Sequence, residues 1–264
     1  MKSPAVIAAA LLLAASTARA QTRPLQTEEA ATARQGTIVF ETGVDLMRNE
    51  PNFITGEERT RFDGPLLRLV WSPADTVEID LEWVAKVAAF DDPTFGDVSD
   101  WGDVTLRAKT RFVDESTHGY GLSARFNVTL PETNFGNGLG PNALRMSAQM
   151  LLSKCGRVCV HANAGLGIND EVGRPHEQRD FLHYGLALTG PNGSRLTPVA
   201  ELAGLAGNGR PGAAARSEIR AGARWQRGRV RWDAALRRGL AKADGDWGVT
   251  AGLAVWLVGD ARRQ

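Results

Sequence analysis

Charged side chains recur at every second position along several stretches of this chain. Successive side chains of a β-strand point to opposite faces, so such a spacing places the charges of one stretch on a single face. Two successive stretches carry three acidic and three basic residues in this way: Glu78, Asp80, Glu82, Arg107, Lys109 and Arg111. Adjacent strands would pair these opposite charges. They would then form either a salt-bridged lining or a polarised path for solutes.

The same alternation assigns nine further polar side chains to the inward face of later strands. These are Arg125, Arg145, His161, His183, Glu201, Arg220, Arg231, Asp233 and Arg237. With the first six, they are the predicted pore-lining residues of a barrel. Arg125 and Arg145 have no acidic neighbour in this register, so the lumen is expected to favour anions weakly.

Two histidines and two cysteines on the inward face allow more than one chemistry. His161 and His183 could bind a metal or take up a proton on acidification, and hydrogen bonding to neighbours is the commoner role of lumenal histidines. Cys155 and Cys159 flank a tight turn. In the oxidising cell envelope they are predicted to form a disulfide, with metal binding as the weaker alternative. No catalytic residue, metal site or cofactor is predicted.

Strict alternation over long segments indicates the elements that position these residues. Val77, Ile79, Leu81 and Trp83 form an apolar face opposite the acidic residues, and later segments repeat the arrangement. The pattern predicts twelve strands: 37–46, 59–71, 76–88, 103–113, 119–131, 143–154, 158–169, 180–190, 195–206, 214–226, 229–240 and 246–258. A tilted strand needs about nine to eleven residues to cross a bilayer, and most of these segments are that long.

The links between strands alternate between short and long. Short periplasmic turns with longer extracellular loops are typical of outer-membrane barrels. One face of each strand is dense in charge, whereas the other is apolar and carries aromatic residues near the short turns: Trp71, Phe112, Tyr120, Trp225 and Trp232. A soluble β-sandwich would also alternate, but it would pack one face of each sheet into a core. The prediction is therefore an all-β fold, a closed antiparallel transmembrane β-barrel.

The ends of the chain carry a different pattern. Lys2, a short apolar run and the small residues Ala18 and Ala20 predict that residues 1–20 are a cleaved signal peptide. Residues 21–35 are polar without alternation and are expected to be a flexible periplasmic lead-in. The barrel would then span residues 36–258, and residues 259–264 would form a periplasmic tail. A net charge of +1 argues against nucleic-acid binding.

Several short motifs resemble a bacterial barrel family, the MetA-pathway of phenol degradation family, which is also described as outer-membrane transporters. The resemblance runs from about residue 66 to residue 258. Its motifs are residues 102–106, 109–112 with the acidic turn at 114–115, 128–131, the glycine-rich loop 136–140, 161–163 with Gly165 and Gly167, and 199–202. It implies a barrel with a transport role, without implying that phenol is the cargo. The chain departs from the pattern because its last residue is not aromatic.

The predicted function is passive uptake of small solutes, aromatic or anionic ones among them, across the outer membrane of a Gram-negative bacterium. The expected partners are outer-membrane lipid, the solute and the barrel assembly machinery. One alternative is a structural or surface-recognition barrel without transport. Another is an outer-membrane lipid hydrolase, which is disfavoured because no serine and histidine share a lipid-facing stripe. The chain is accordingly predicted not to be an enzyme.

Overall fold

The structure is a computed structural model that describes residues 23–170, 177–191, 194–206 and 214–259. The predicted signal peptide, residues 1–20, lies outside the described residues. So do residues 260–264 of the predicted tail. Among the described residues, no helix is long and apolar enough to cross a membrane.

The described chain forms one closed antiparallel barrel of twelve strands, as predicted. It is built from fourteen segments: β1 Ile38–Pro51, β2 Glu58–Ala74, β3 Val77–Val84, β4 Val87–Asp92, β5 Gly96–Asp100, β6 Val104–Val113, β7 Gly121–Leu130, β8 Arg145–Cys155, β9 Cys159–Asp170, β10 Gln178–Thr189, β11 Leu196–Ala206, β12 Arg216–Arg227, β13 Val230–Gly239 and β14 Trp247–Val258. Segments β3 and β4 both pair with β2 and lie end to end along it, so they count as one strand of the barrel. Segments β5 and β6 pair with β4 and β3 in the same way and also count as one strand. Pairing of β1 with β14 closes the barrel.

Apolar side chains cover the outside of the barrel, and charged ones face its interior. Leu106 and Phe112 of β6 are half or more exposed, whereas Lys109 between them is buried. Only a lipid environment makes such an exposed apolar band stable, because in water it would be a large unfavourable surface. All five predicted girdle aromatics lie on this outer surface: Trp71, Phe112, Tyr120, Trp225 and Trp232.

The two ends of the barrel differ in their connections. One end carries the short turns, among them the single-turn helix α1 (Glu115–His118), capped by Asp114. In barrels of this kind the short-turn end is periplasmic. Residues 89–102, which lie between two predicted strands, largely form β-structure. They continue the wall as the β4–β5 hairpin, because Val87 and Ala89 are buried and pair in register.

The N-terminal segment corrects one expectation about domain organisation. Residues 23–35 are not a flexible periplasmic lead-in. They enter the barrel from the short-turn end and are largely buried there, with Ala30 fully enclosed. The segment lacks strand alternation because wall residues surround it on all sides, so neither of its faces is lipid-facing.

Candidate functional site

The N-terminal segment, residues 23–35, is called the plug below. Its contacts trace a path from the short-turn end to the middle of the barrel. Gln35 N–H donates to the Asp75 carboxylate at 2.8 Å, at the turn between β2 and β3. Further in, Ala30 N–H donates to Ser153 Oγ at 2.8 Å. Gln26 N–H donates to Glu201 at 2.7 Å. The plug therefore fills the periplasmic half of the lumen and is held by several strands at once.

Arg23 marks the innermost described point of the plug. Its guanidinium donates to Thr250 Oγ1 at 2.8 Å and to the Ala251 carbonyl at 2.9 Å. Wall positions Gly43 and Gly252 lie against it, and a Cβ at Gly43 would come within 2.3 Å of the guanidinium. Glycine at these positions allows the close approach, so the wall carries a socket for this side chain.

Glu28 is the electrostatic centre of the plug. Its carboxylate lies 2.6 Å from Arg125, 3.4 Å from Arg68 and 3.9 Å from Lys109. The Asn163 amide, oriented to satisfy both groups, accepts from Glu28 N–H at 2.8 Å and donates to its carbonyl at 2.9 Å. The side chain of Glu28 thus binds cations from three wall strands, and its backbone binds a fourth strand. Glu28 therefore joins these strands to one point of the plug.

Glu29 and the barrel wall form a second ionic attachment. Arg224 lies 3.2 Å from the Glu29 carboxylate, and its Nε donates to the Arg23 carbonyl at 2.8 Å. Arg220 donates to the Pro24 carbonyl at 2.8 Å. The arginines of β12 thus bind plug backbone as well as plug charge.

A second internal segment lies at the opposite end. The loop between β7 and β8, residues 131–144, folds inward, and its Leu139 is fully buried against Val87 and Ala89. Arg59 donates to the Gly138 carbonyl at 2.5 Å, and Arg61 donates to the Leu139 carbonyl at 2.8 Å. These arginines and the buried leucine anchor the glycine-rich stretch 136–140.

Between the plug and this loop lies a chamber of about 630 Å³. Ten arginines and seven carboxylates are among the described residues that line it: Arg23, Arg61, Arg68, Arg107, Arg125, Arg145, Arg179, Arg216, Arg220, Arg237, Glu28, Asp45, Glu50, Asp63, Glu82, Asp103 and Asp170. Apolar side chains such as Phe53, Phe181 and Leu205 complete the lining. The volume is typical of a pocket for a small molecule, and the excess of arginine favours an anion.

All fifteen residues predicted to line the pore are on the inward face of the wall. They divide by depth. Seven line the chamber: Glu82, Arg107, Arg125, Arg145, His183, Arg220 and Arg237. The other eight lie outside the chamber lining: Glu78, Asp80, Lys109, Arg111, His161, Glu201, Arg231 and Asp233. Several of these eight contact the plug, as Lys109 and Glu201 do.

The ion pairs expected between the third and fourth strands are present. Lys109 lies 3.0 Å from Glu78, and Arg107 lies 3.0 Å from Asp80 and 2.7 Å from Glu82. The expectation that Arg125 and Arg145 lack acidic partners is wrong. Glu28 neutralises Arg125, and Asp103 lies 2.5 Å from Arg145.

The sequence pattern missed both of these pairings. Glu28 lies in a segment without alternation, and Asp103, the first residue of a predicted strand, is separated from Arg145 by β7. The unbalanced arginines themselves were the signal, since a buried guanidinium requires a partner.

His161 is part of a hydrogen-bonded pair beneath the plug. Its Nδ1 lies 2.8 Å from Ser153 Oγ, and its Nε2 lies 3.2 Å from Thr189 Oγ1. His183, in contrast, has no hydrogen-bond partner among the described residues and lies at the chamber. No group of three or more potential metal ligands occurs in the described parts of the chain. Cys155 and Cys159 are joined by a disulfide across the β8–β9 turn.

Comparisons with known proteins place this fold. No protein-family model matches the chain, and no curated protein matches it significantly. Among solved structures, LpxR from Salmonella typhimurium is similar with a TM-score of 0.50 and 8% identity over 83% of this chain and 100% of that one. The β domain of the Bordetella autotransporter BrkA has a TM-score of 0.51 and 11% identity over 84% of this chain and 100% of that one.

This chain is an outer-membrane β-barrel. The charge-lined interior, the apolar outer band and the similarity to both solved barrels agree on that architecture and on the Gram-negative outer membrane as its location. The low identities show the fold alone.

The prediction that the chain is not an enzyme is contradicted by the similarity to LpxR, which is an outer-membrane deacylase. The barrel fold shared with LpxR is therefore compatible with a catalytic site, and the strand pattern alone does not exclude one.

Proposed function

We propose that this barrel is a gated channel for small anionic solutes, with the plug as its gate. The observation that carries the proposal is the chamber, whose lining is richer in arginine than in carboxylate and which lies between the plug and the 131–144 loop. A solute entering from the long-loop end would meet this positive chamber first. Displacement of the plug would then connect the chamber to the periplasm.

The contacts of the plug are suited to reversible release. Its described attachments are mainly hydrogen bonds and ion pairs, such as Glu28 with Arg125 and Arg23 with Thr250. Leu25, packed with Ala187 and Val199, adds one small apolar contact. Polar contacts inside a lumen can be exchanged for contacts with water, so their net free energy is modest compared with an apolar core of the same size.

Single-channel recording in planar bilayers tests the gate. Wild-type protein should be closed most of the time, with brief openings. A variant lacking residues 23–35 should conduct steadily, because the periplasmic half of the lumen would be empty. Heat-modifiable migration in gels provides the folding control for both proteins. A correctly folded deletion variant with no conductance above the bare bilayer would reject the channel function.

A second candidate function, hydrolysis, is favoured by the Ser153–His161 pair. A serine hydroxyl within hydrogen-bond reach of a histidine is the arrangement that activates serine nucleophiles. Both side chains are buried, and Ala30 of the plug covers Ser153. A fluorophosphonate probe should therefore label Ser153 only in the variant lacking residues 23–35 if this candidate is right. Absence of labelling in that folded variant, with Ser153→Ala as the reference, would dismiss it.

A further inference from the structure

The interior wall formed by β7, β8, β9 and β10 differs in charge from the rest of the barrel. Its lumen-facing side chains include Arg125, Arg145 and Arg179. Of the two acidic residues of these strands, Asp180 faces outward and Asp170 borders the chamber only at the outer end of β9. The acidic partners of Arg125 and Arg145 come from the plug and from a strand break instead. The wall itself is therefore a contiguous positive surface.

Strand register brings the polar groups of this wall together. Arg125, Gln149, Gly165 and His183 face one another across the four strands. Asn127 and Phe181 also face inward, each two positions further along its strand toward the outer end of the barrel. Strands lie about 4.8 Å apart and alternate residues about 7 Å apart, so these side chains border a patch the size of a small molecule.

Glycine in β9 shapes the centre of the patch. A Cβ at Gly167 would come within 2.5 Å of His183 Nε2. Without that Cβ, the imidazole lies across β9, where Arg125 and Arg145 are its electrostatic neighbours. The patch thus has two arginines near an imidazole that no described residue hydrogen-bonds.

Several polar atoms of the patch lack a partner. The Nε groups of Arg125 and Arg145 and Oδ1 of Asn127 are buried without a hydrogen bond. Each such atom costs free energy unless water or a ligand satisfies it. Arg125 is only 9% exposed, and the chamber is the space that its side chain borders.

We infer that this patch is the solute-binding site of the chamber and that it takes small organic carboxylates. Arginine donors match the planar carboxylate group, which can accept from two of them at once. Buried Phe181 beside the cations supplies a surface for an apolar body. The inference deepens the proposed channel function and rests on it for its biological meaning, whereas the binding itself does not require conduction.

Isothermal titration calorimetry of the refolded full chain in detergent tests the site. The probes are benzoate, its uncharged analogue benzamide, and inorganic phosphate. Benzoate should bind at least about tenfold more tightly than the other two, because benzamide lacks the charge and phosphate lacks the apolar body. Arg145→Gln should weaken benzoate binding by about tenfold or more, the range for loss of one charge-assisted hydrogen bond. His183→Gln should weaken it less.

The matched control is Arg111→Gln. Arg111 also faces inward, but it lies near the short-turn end, pairs with Asp114 at 2.6 Å and does not line the chamber. Its loss should leave benzoate affinity unchanged. The inference would be overturned if benzoate bound no more tightly than benzamide or no more tightly than phosphate. It would also be overturned if the Arg145 and Arg111 variants changed benzoate affinity equally. Benzoate binding without conductance would reject the channel and keep the site, whereas conductance without benzoate binding would do the reverse.

Discussion

Glu28 shows how one residue can determine the state of the whole lumen. Glu28 is only 3% exposed, and its carboxylate forms ion pairs with Arg125, Arg68 and Lys109. Without it, three cations would converge on a neutral point of the plug. Removing one partner from a buried charge cluster costs about 3–5 kcal/mol, chiefly because the remaining charges lose their compensation.

Glu28→Gln should therefore favour release of the plug. A loss of about 3 kcal/mol would raise the ratio of open to closed channels on the order of 100-fold, because each 1.4 kcal/mol is about a factor of ten. Single-channel open probability measures this ratio directly. Glu132→Gln is the control, since Glu132 is an exposed loop residue. An open probability equal in both variants would show that Glu28 does not hold the gate closed.

At the scale of single elements, the strands were predictable and the internal segments were not. Alternation of apolar and charged residues locates β6 and β7 within two residues of their observed ends, because lipid outside and charge inside impose a strict period of two. The plug and the 131–144 loop contact protein on several sides, so no period marks them. Their positions depend on side-chain partners such as Arg59 and Glu201, which only the folded barrel brings near.

The 131–144 loop depends on Gly138 in a way that can be tested. Gly138 has a φ of +69°, and a Cβ there would lie 2.3 Å from Asn52 Oδ1. Gly138→Ala should destabilise the folded loop by about 1–2 kcal/mol, from the left-handed backbone alone. Amide hydrogen exchange of residues 131–144 should become roughly tenfold faster.

Gly136→Ala provides the matched control for that measurement. Gly136 has no positive φ, and its nearest neighbour would be Asn134 Oδ1 at 3.3 Å from an added Cβ. Exchange in this variant should stay near the wild-type rate. Equal protection in both variants would mean that Gly138 does not determine the loop conformation.

The whole molecule combines an apolar exterior with an interior of unevenly distributed charge. Carboxylates are abundant on the inward face of β3, with Glu78, Asp80 and Glu82. On β7–β10, the one carboxylate among the described residues that borders the chamber is Asp170, at the outer end of β9. The low-dielectric wall focuses the electrostatic potential of these charges into the lumen, so the uneven distribution affects ions along the path. The plug modifies it by adding Glu28 beside Arg125, so the permeation path and the gate share one set of charges.

Ion selectivity of the open pore follows from that distribution. In the variant lacking residues 23–35, Arg125 loses Glu28, and the arginines of β7–β10 should make the pore prefer chloride over potassium. Reversal potentials across a salt gradient measure the preference. It should be weaker at 1 M than at 0.1 M salt, because the screening length falls from about 10 Å to about 3 Å.

Arg125→Glu combined with Arg145→Glu in the same background should reverse the preference to potassium. Arg157→Glu changes charge equally per site but lies in the exposed β8–β9 turn outside the lumen, so it should leave the reversal potential unaltered. Potassium preference in the unmodified deletion variant would contradict the electrostatic argument, since no acidic residue of the plug would remain to account for it.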